Sequence, residues 1–103
     1  MEAKEKIKKF ISENDVCLFM KGTPDAPECG FSMAVSNVLK HLNVNYKGIN
    51  ILEDENLRQG IKEFSDWPTI PQLYVKEEFI GGCDIIKEMF DKGELKKLFE
   101  EKK

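Results

Sequence analysis

The sequence predicts an α/β domain, a small sheet with helices packed on it, and three observations carry the prediction. Amphipathic helical stripes alternate along the chain with apolar runs too short to be helices. Two of the strand-like runs are joined by a helical segment, which implies a right-handed parallel unit. Two more, separated only by Lys76-Glu77-Glu78, read as a hairpin. At 103 residues the chain fits one domain, residues 1–103.

Each element has its own local cause. Ala3, Ile7, Phe10 and Ile11 recur at helical spacing, and Asn14-Asp15 ends that helix. Val16, Cys17, Leu18, Phe19 and Met20 form a continuous apolar run, the pattern of a strand buried on both faces. Pro24 and Pro27 hold the next stretch as a loop through Glu28. From about Gly30, the positions Met33, Val35, Val38, Leu39 and Leu42 trace an amphipathic helix ending near Asn43. Val44, Tyr46, Ile49 and Ile51 suggest the second strand, and Leu57, Ile61 and Phe64 a short helix. Trp67-Pro68-Thr69-Ile70-Pro71 is rigid and extended, and leads into Leu73, Tyr74 and Val75, then Phe79 and Ile80. The turn between those two strands lacks the usual Gly or Asn, so the sequence leaves its type open. Gly81-Gly82 opens a last helical region with Ile85, Ile86, Met89 and Phe90, and Leu95, Leu98 and Phe99 beyond Gly93 allow one more helix.

Composition excludes several function classes. A net charge of -3 lacks the basic field that nucleic-acid phosphates require. No run of 18 apolar residues is present, so no membrane span is expected. The N-terminus mixes Glu2 and Glu5 with Lys4, Lys6, Lys8 and Lys9, which fits neither a signal nor a transit peptide. Cys17, Cys29 and Cys83 are odd in number and have no close pair, which suits neither a disulfide-stapled secreted domain nor a structural zinc site. A reducing setting is the expectation, with the chain either cytoplasmic or already processed.

The chemistry centres on Cys29. Where a Cys-x-x-Cys redox centre would carry its second cysteine, this chain carries Ser32. A paired cysteine closes its own disulfide after attacking a substrate, whereas a lone thiolate needs an outside thiol or serves as a metal ligand. Cys29 precedes a helix, whose N–H groups and dipole favour an anion and so a thiolate. Ser32 would either donate to that sulfur or sit solvated in the first turn. Lys21 follows the first strand, at the end of a parallel unit where α/β sites collect. Arg58 is the only arginine against fifteen lysines, and a guanidinium suits a carboxylate. Gly82, Cys83 and Asp84 precede the last helical region, so their N–H groups can cradle a carboxylate while the Asp84 side chain receives an amine or caps the helix. Cys83 could resolve Cys29, contribute only its backbone, or pack as a small hydrophobe, and the backbone contact is preferred. Cys17 reads as core, and His41 stands alone without a partner acid.

Lys21-Gly22-Thr23-Pro24, Pro27, Cys29-Gly30-Phe31-Ser32, Trp67-Pro68-Thr69-Ile70-Pro71-Gln72-Leu73 and Gly81-Gly82-Cys83-Asp84-Ile85 together resemble a monothiol glutaredoxin. The resemblance spans nearly the whole chain and implies a thioredoxin-like fold, a four-stranded mixed sheet flanked by helices. It also implies a cis bond before Pro71, with the Ile70 backbone free to pair with an extended peptide. Lys21 and Arg58 would then hold one carboxylate of glutathione, Ile70 its middle, and Cys83 with Asp84 its amino-acid end. A [2Fe-2S] cluster takes four ligands, and Cys29 is one. Two protomers and two glutathiones would supply four, which points to a homodimer across a labile cluster, with BolA-type proteins and apo iron-sulfur proteins as partners. The competing expectation is an oxidoreductase that reduces glutathione mixed disulfides through Cys29 alone. Seven residues, 22–28, separate Lys21 from Cys29. Dithiol glutaredoxins have a shorter connection, and the longer loop would re-aim the glutathione thiol toward a metal.

Overall fold

A computed structural model describes residues 2–101. The helices are α1 (Ala3–Glu13), α2 (Gly30–His41), α3 (Glu55–Ser65), α4 (Cys83–Asp91) and α5 (Glu94–Glu101). The strands are β1 (Val16–Met20), β2 (Lys47–Asn50), β3 (Gln72–Val75) and β4 (Glu78–Gly81), in the sheet order β2-β1-β3-β4. β1 runs parallel to β2 and antiparallel to β3, and β3 pairs antiparallel with β4. The sheet is therefore four-stranded and mixed, as expected.

β1 explains the two-layer architecture. All five of its residues are buried, and side chains alternate across a strand, so one run feeds two cores. Cys17 and Phe19 pack with Ile7 and Ile11 of α1 and Leu57 and Ile61 of α3. Val16, Leu18 and Met20 pack on the other face with Val35 and Leu39 of α2, Ile86 of α4 and Leu95 of α5. Among the described residues no helix is long and apolar enough to cross a membrane.

Two local expectations are refined. Val44 and Tyr46 precede β2 rather than lie in it, and Ile51 falls in a 3-10 turn, Ile51–Glu53. The Asn50 side chain accepts the Leu52 N–H, which starts that turn and ends the ladder. The β3–β4 turn places Lys76 at φ 50° and Glu77 at φ 69°. Both central residues are thus left-handed, the type I′ geometry that matches strand twist, without the Gly or Asn that usually supplies it. Asp15 compensates: its carbonyl accepts the Lys76 N–H at 2.7 Å and its carboxylate pairs with the Lys76 ammonium at 2.9 Å.

Candidate functional site

Cys29 stands at the N-terminus of α2, half-exposed, in a cleft of about 410 Å³ that also takes in Lys21, Ile70, Cys83 and Asp84. Four elements meet there. β1 delivers Lys21 just past its last residue, and α2 delivers Cys29. The segment before β3 delivers Ile70, and α4 delivers Cys83 and Asp84 in its first turn. A cleft of this size lies within the range that encloses small-molecule ligands.

The environment of the thiol favours its ionised form. The Ser32 backbone N–H, at the positive end of α2, is the main influence holding the Cys29 thiol below its ordinary value of 9.0. Partial burial opposes it, while the Phe31 N–H, the Lys21 ammonium and the Ser32 hydroxyl add to it. The N–H groups and the hydroxyl act by hydrogen bonding toward the sulfur, and Lys21 acts by its charge. Ser32 is fully buried, and its Oγ accepts the Lys21 N–H at 3.0 Å. The solvated alternative for Ser32 is thereby overturned, because its hydroxyl ties the end of β1 to the first turn of α2.

Cys83 behaves differently. Burial raises its thiol above 9.0, the Asp84 carboxylate and Cys29 push the same way, and only the Lys87 ammonium opposes. It stands half-buried against the core below α4 and also lines the cleft. Cys17 is core: it is fully buried, and its S–H points at the Phe10 carbonyl, 3.2 Å away. His41 stacks edge-on against Phe90, with ring centroids 5.5 Å apart, which leaves it a packing role.

The segment before β3 is braced from below. The Ile70-Pro71 bond is cis, the X-Pro bond expected. Gln72 is fully buried, and its amide donates to the carbonyls of Trp67 at 3.1 Å and Thr69 at 3.2 Å. A buried amide that satisfies two backbone carbonyls fixes a loop that has no ladder of its own. Gly82 allows a close approach, since a Cβ there would lie 3.0 Å from the Trp67 indole nitrogen.

Arg58 is the expected site residue the structure does not bring into the cleft. It is half-buried on α3, and the cation of that helix lining the cleft is Lys62, one turn later. Arg58 stands out in the sequence by its guanidinium, whereas Lys62 is one of fifteen lysines. The i, i+4 spacing was the available signal, and only the helix's orientation on the sheet selects between the two. Phe31 and Trp67 also line the cleft, and Phe31 is 62% exposed.

Residues 16–80 match the family model for glutaredoxin. The chain is 53% identical over 103 residues to the mitochondrial monothiol glutaredoxin-5 of Lachancea kluyveri, covering 97% of this chain and 72% of that one. It is 55% identical over 97 residues to a monothiol glutaredoxin of Oryza sativa subsp. japonica, covering 94% of this chain but only 20% of that longer protein. Among solved structures, reduced poplar apo GrxS14 superposes with a TM-score of 0.85 at 52% identity, covering 95% of this chain and 90% of that one.

Proposed function

The chain belongs to the glutaredoxin family and to its monothiol group, and from that premise we propose that it binds glutathione in the cleft and shares a [2Fe-2S] cluster between two copies of itself. Such a protein stores the cluster and passes it to apo iron-sulfur proteins, with BolA-type proteins as partners. A reducing compartment such as the cytoplasm suits the free thiolate this requires.

The observation that carries the reading is the stranded thiolate at Cys29. Its ionised form is favoured, it is half-exposed at a cleft, and the position three residues on holds a buried serine hydroxyl instead of a resolving thiol. Among the described residues no three His, Cys, Asp or Glu side chains group to hold a metal, so a four-ligand cluster would draw on a second protomer and on small-molecule thiols. The cleft supports glutathione as that thiol. Lys21 and Lys62 offer cations for a carboxylate, the backbone about Ile70 suits an extended peptide, and the N-terminus of α4 with Asp84 suits an end bearing both carboxylate and amine. Exchangeable ligands would make the cluster labile, which suits transfer.

Oxygen-free purification with glutathione, followed by visible absorption and native mass spectrometry, tests this. The expected result is a coloured dimer holding two irons and two glutathiones per pair of chains, and a colourless Cys29→Ala variant. Iron loading unchanged in that variant would sink the reading.

One observation favours a second activity. A half-exposed thiolate of lowered pKa is also a nucleophile. Cys29 would attack the glutathione sulfur of a mixed disulfide, forming Cys29-glutathione disulfide and releasing the substrate thiolate. A free glutathione thiolate would then displace Cys29 and leave as oxidised glutathione. Rapid turnover of a glutathione mixed disulfide by a colourless monomer is the result that would favour this activity over cluster carriage.

A further inference from the structure

Asn50, the last residue of β2, uses one oxygen for two distant parts of the chain. Its side-chain Oδ1 accepts the Leu52 N–H at 3.0 Å and the Gly22 N–H, also at 3.0 Å, 28 residues away in sequence. We propose that Asn50 is a positioning residue for Cys29, because its hold on Gly22 fixes the peptide from which both Lys21 and the loop of residues 22–28 are suspended.

The connections from that peptide to the thiol are short. Lys21 donates its N–H to Ser32 Oγ at 3.0 Å, and its carbonyl accepts the Glu28 N–H at 2.9 Å. Glu28, just before Cys29, is thereby tied to the Lys21–Gly22 peptide and Ser32, three residues after it, to the adjoining Met20–Lys21 peptide, while Asn50 anchors the Lys21–Gly22 peptide to the sheet through the Gly22 N–H. Gly22 sits at φ 93°, where a Cβ would meet the Glu28 nitrogen at 2.5 Å, so the anchor point admits only glycine.

β2 supports the loop at a second point. A Cβ on Gly48 would come within 2.5 Å of Pro24 Cγ, so the bare glycine lets the loop lie directly on the strand. From α2 the Lys40 ammonium donates to the Pro24 carbonyl at 2.6 Å. A loop this long before the thiol would have many accessible conformations, and these contacts select one. None of them involves glutathione or a cluster, so the inference stands or falls apart from the function proposed above.

Amide hydrogen exchange followed by NMR on the full chain tests it. In the unsubstituted protein the Gly22 amide is expected to be protected, and rapid exchange there overturns the inference without any variant. Asn50→Ala is expected to speed exchange at Gly22 and Glu28 about tenfold and to shift the Cys29 and Ser32 amide resonances, with the amides of residues 16–18 unchanged. Asn50→Asp keeps an acceptor oxygen in place and is expected to return Gly22 exchange to within about twofold of the starting protein. If the alanine variant alters only Leu52 and its neighbours, Asn50 merely caps the 3-10 turn and the inference fails. If that variant does not fold, the Gly22 amide of the unsubstituted protein decides alone.

Discussion

Ser32 acts on Cys29 through two groups, and substitution separates them. Its backbone N–H is the larger influence on the thiol and survives in Ser32→Ala, while its hydroxyl is the smaller one and does not. The Cys29 thiol in that variant is expected to titrate higher than in the unsubstituted protein and still below 9.0, read from the pH dependence of alkylation on the Cys29 peptide. An unmoved midpoint would remove the hydroxyl from the account of the thiolate. A second prediction concerns the cleft's cations. If glutathione binds as proposed, Lys62→Ala should weaken it by roughly threefold to tenfold and Arg58→Ala by less, measured by calorimetry. The reverse order would return the carboxylate to Arg58. Cys29, Lys21 and Asp84 were legible in the sequence because each sits at an element boundary that fixes its surroundings. Lys62 was not, because a residue inside a helix takes its surroundings from whatever the helix packs against.

At the level of elements, the β3–β4 turn carries an avoidable cost. Glu77 holds φ 69°, where a side-chain-bearing residue is disfavoured by about 1–2 kcal/mol, against roughly 0.5–1 kcal/mol of extra chain entropy that glycine loses on folding. Glu77→Gly is therefore expected to raise the thermal midpoint by a few degrees, leaving the Lys76–Asp15 ion pair in place. A lowered midpoint would mean that contacts of the Glu77 side chain outweigh the backbone term. The hairpin followed from its two apolar runs, although its turn is one residue shorter than the Lys76-Glu77-Glu78 expected, because Glu78 already pairs in β4. Its turn type did not, since Asp15, 61 positions before Lys76, supplies the contacts that hold the left-handed pair. The early end of β2 has the same origin, because Asn50 and Leu52 decide it by a side-chain bond that periodicity does not register.

Among the described residues burial holds Cys17, Tyr74 and Cys83 protonated, and at the scale of the whole molecule the first two, which carry the largest shifts, weaken the fold at alkaline pH. Desolvation pushes the Cys17 thiol from 9.0 up to about 11, and the Tyr74 phenol from 10.0 up to about 12. Both folded values are raised, so in the interval between the unfolded and folded values the unfolded chain has released protons that the native one retains. Their stabilisation is complete below the unfolded values, begins to fall as pH passes 9.0, and is lost as pH rises through about 11 and then about 12. Thermal midpoints recorded across that range should decline, and Cys17→Ala should remove the earlier part of the decline. A flat profile would place Cys17 in contact with solvent. The sequence by itself determined the element order, the two-faced burial of β1 and the lone thiol at a helix start, because periodicity, chain breaks and residue chemistry are local properties. Only the tertiary structure decided that Lys62 rather than Arg58 lines the cleft, that the Ser32 hydroxyl is buried against the Lys21 N–H, and that Asn50 reaches Gly22. Each of these joins residues distant in sequence, and the packing of helices on the sheet, not any local preference, brings them within hydrogen-bonding reach.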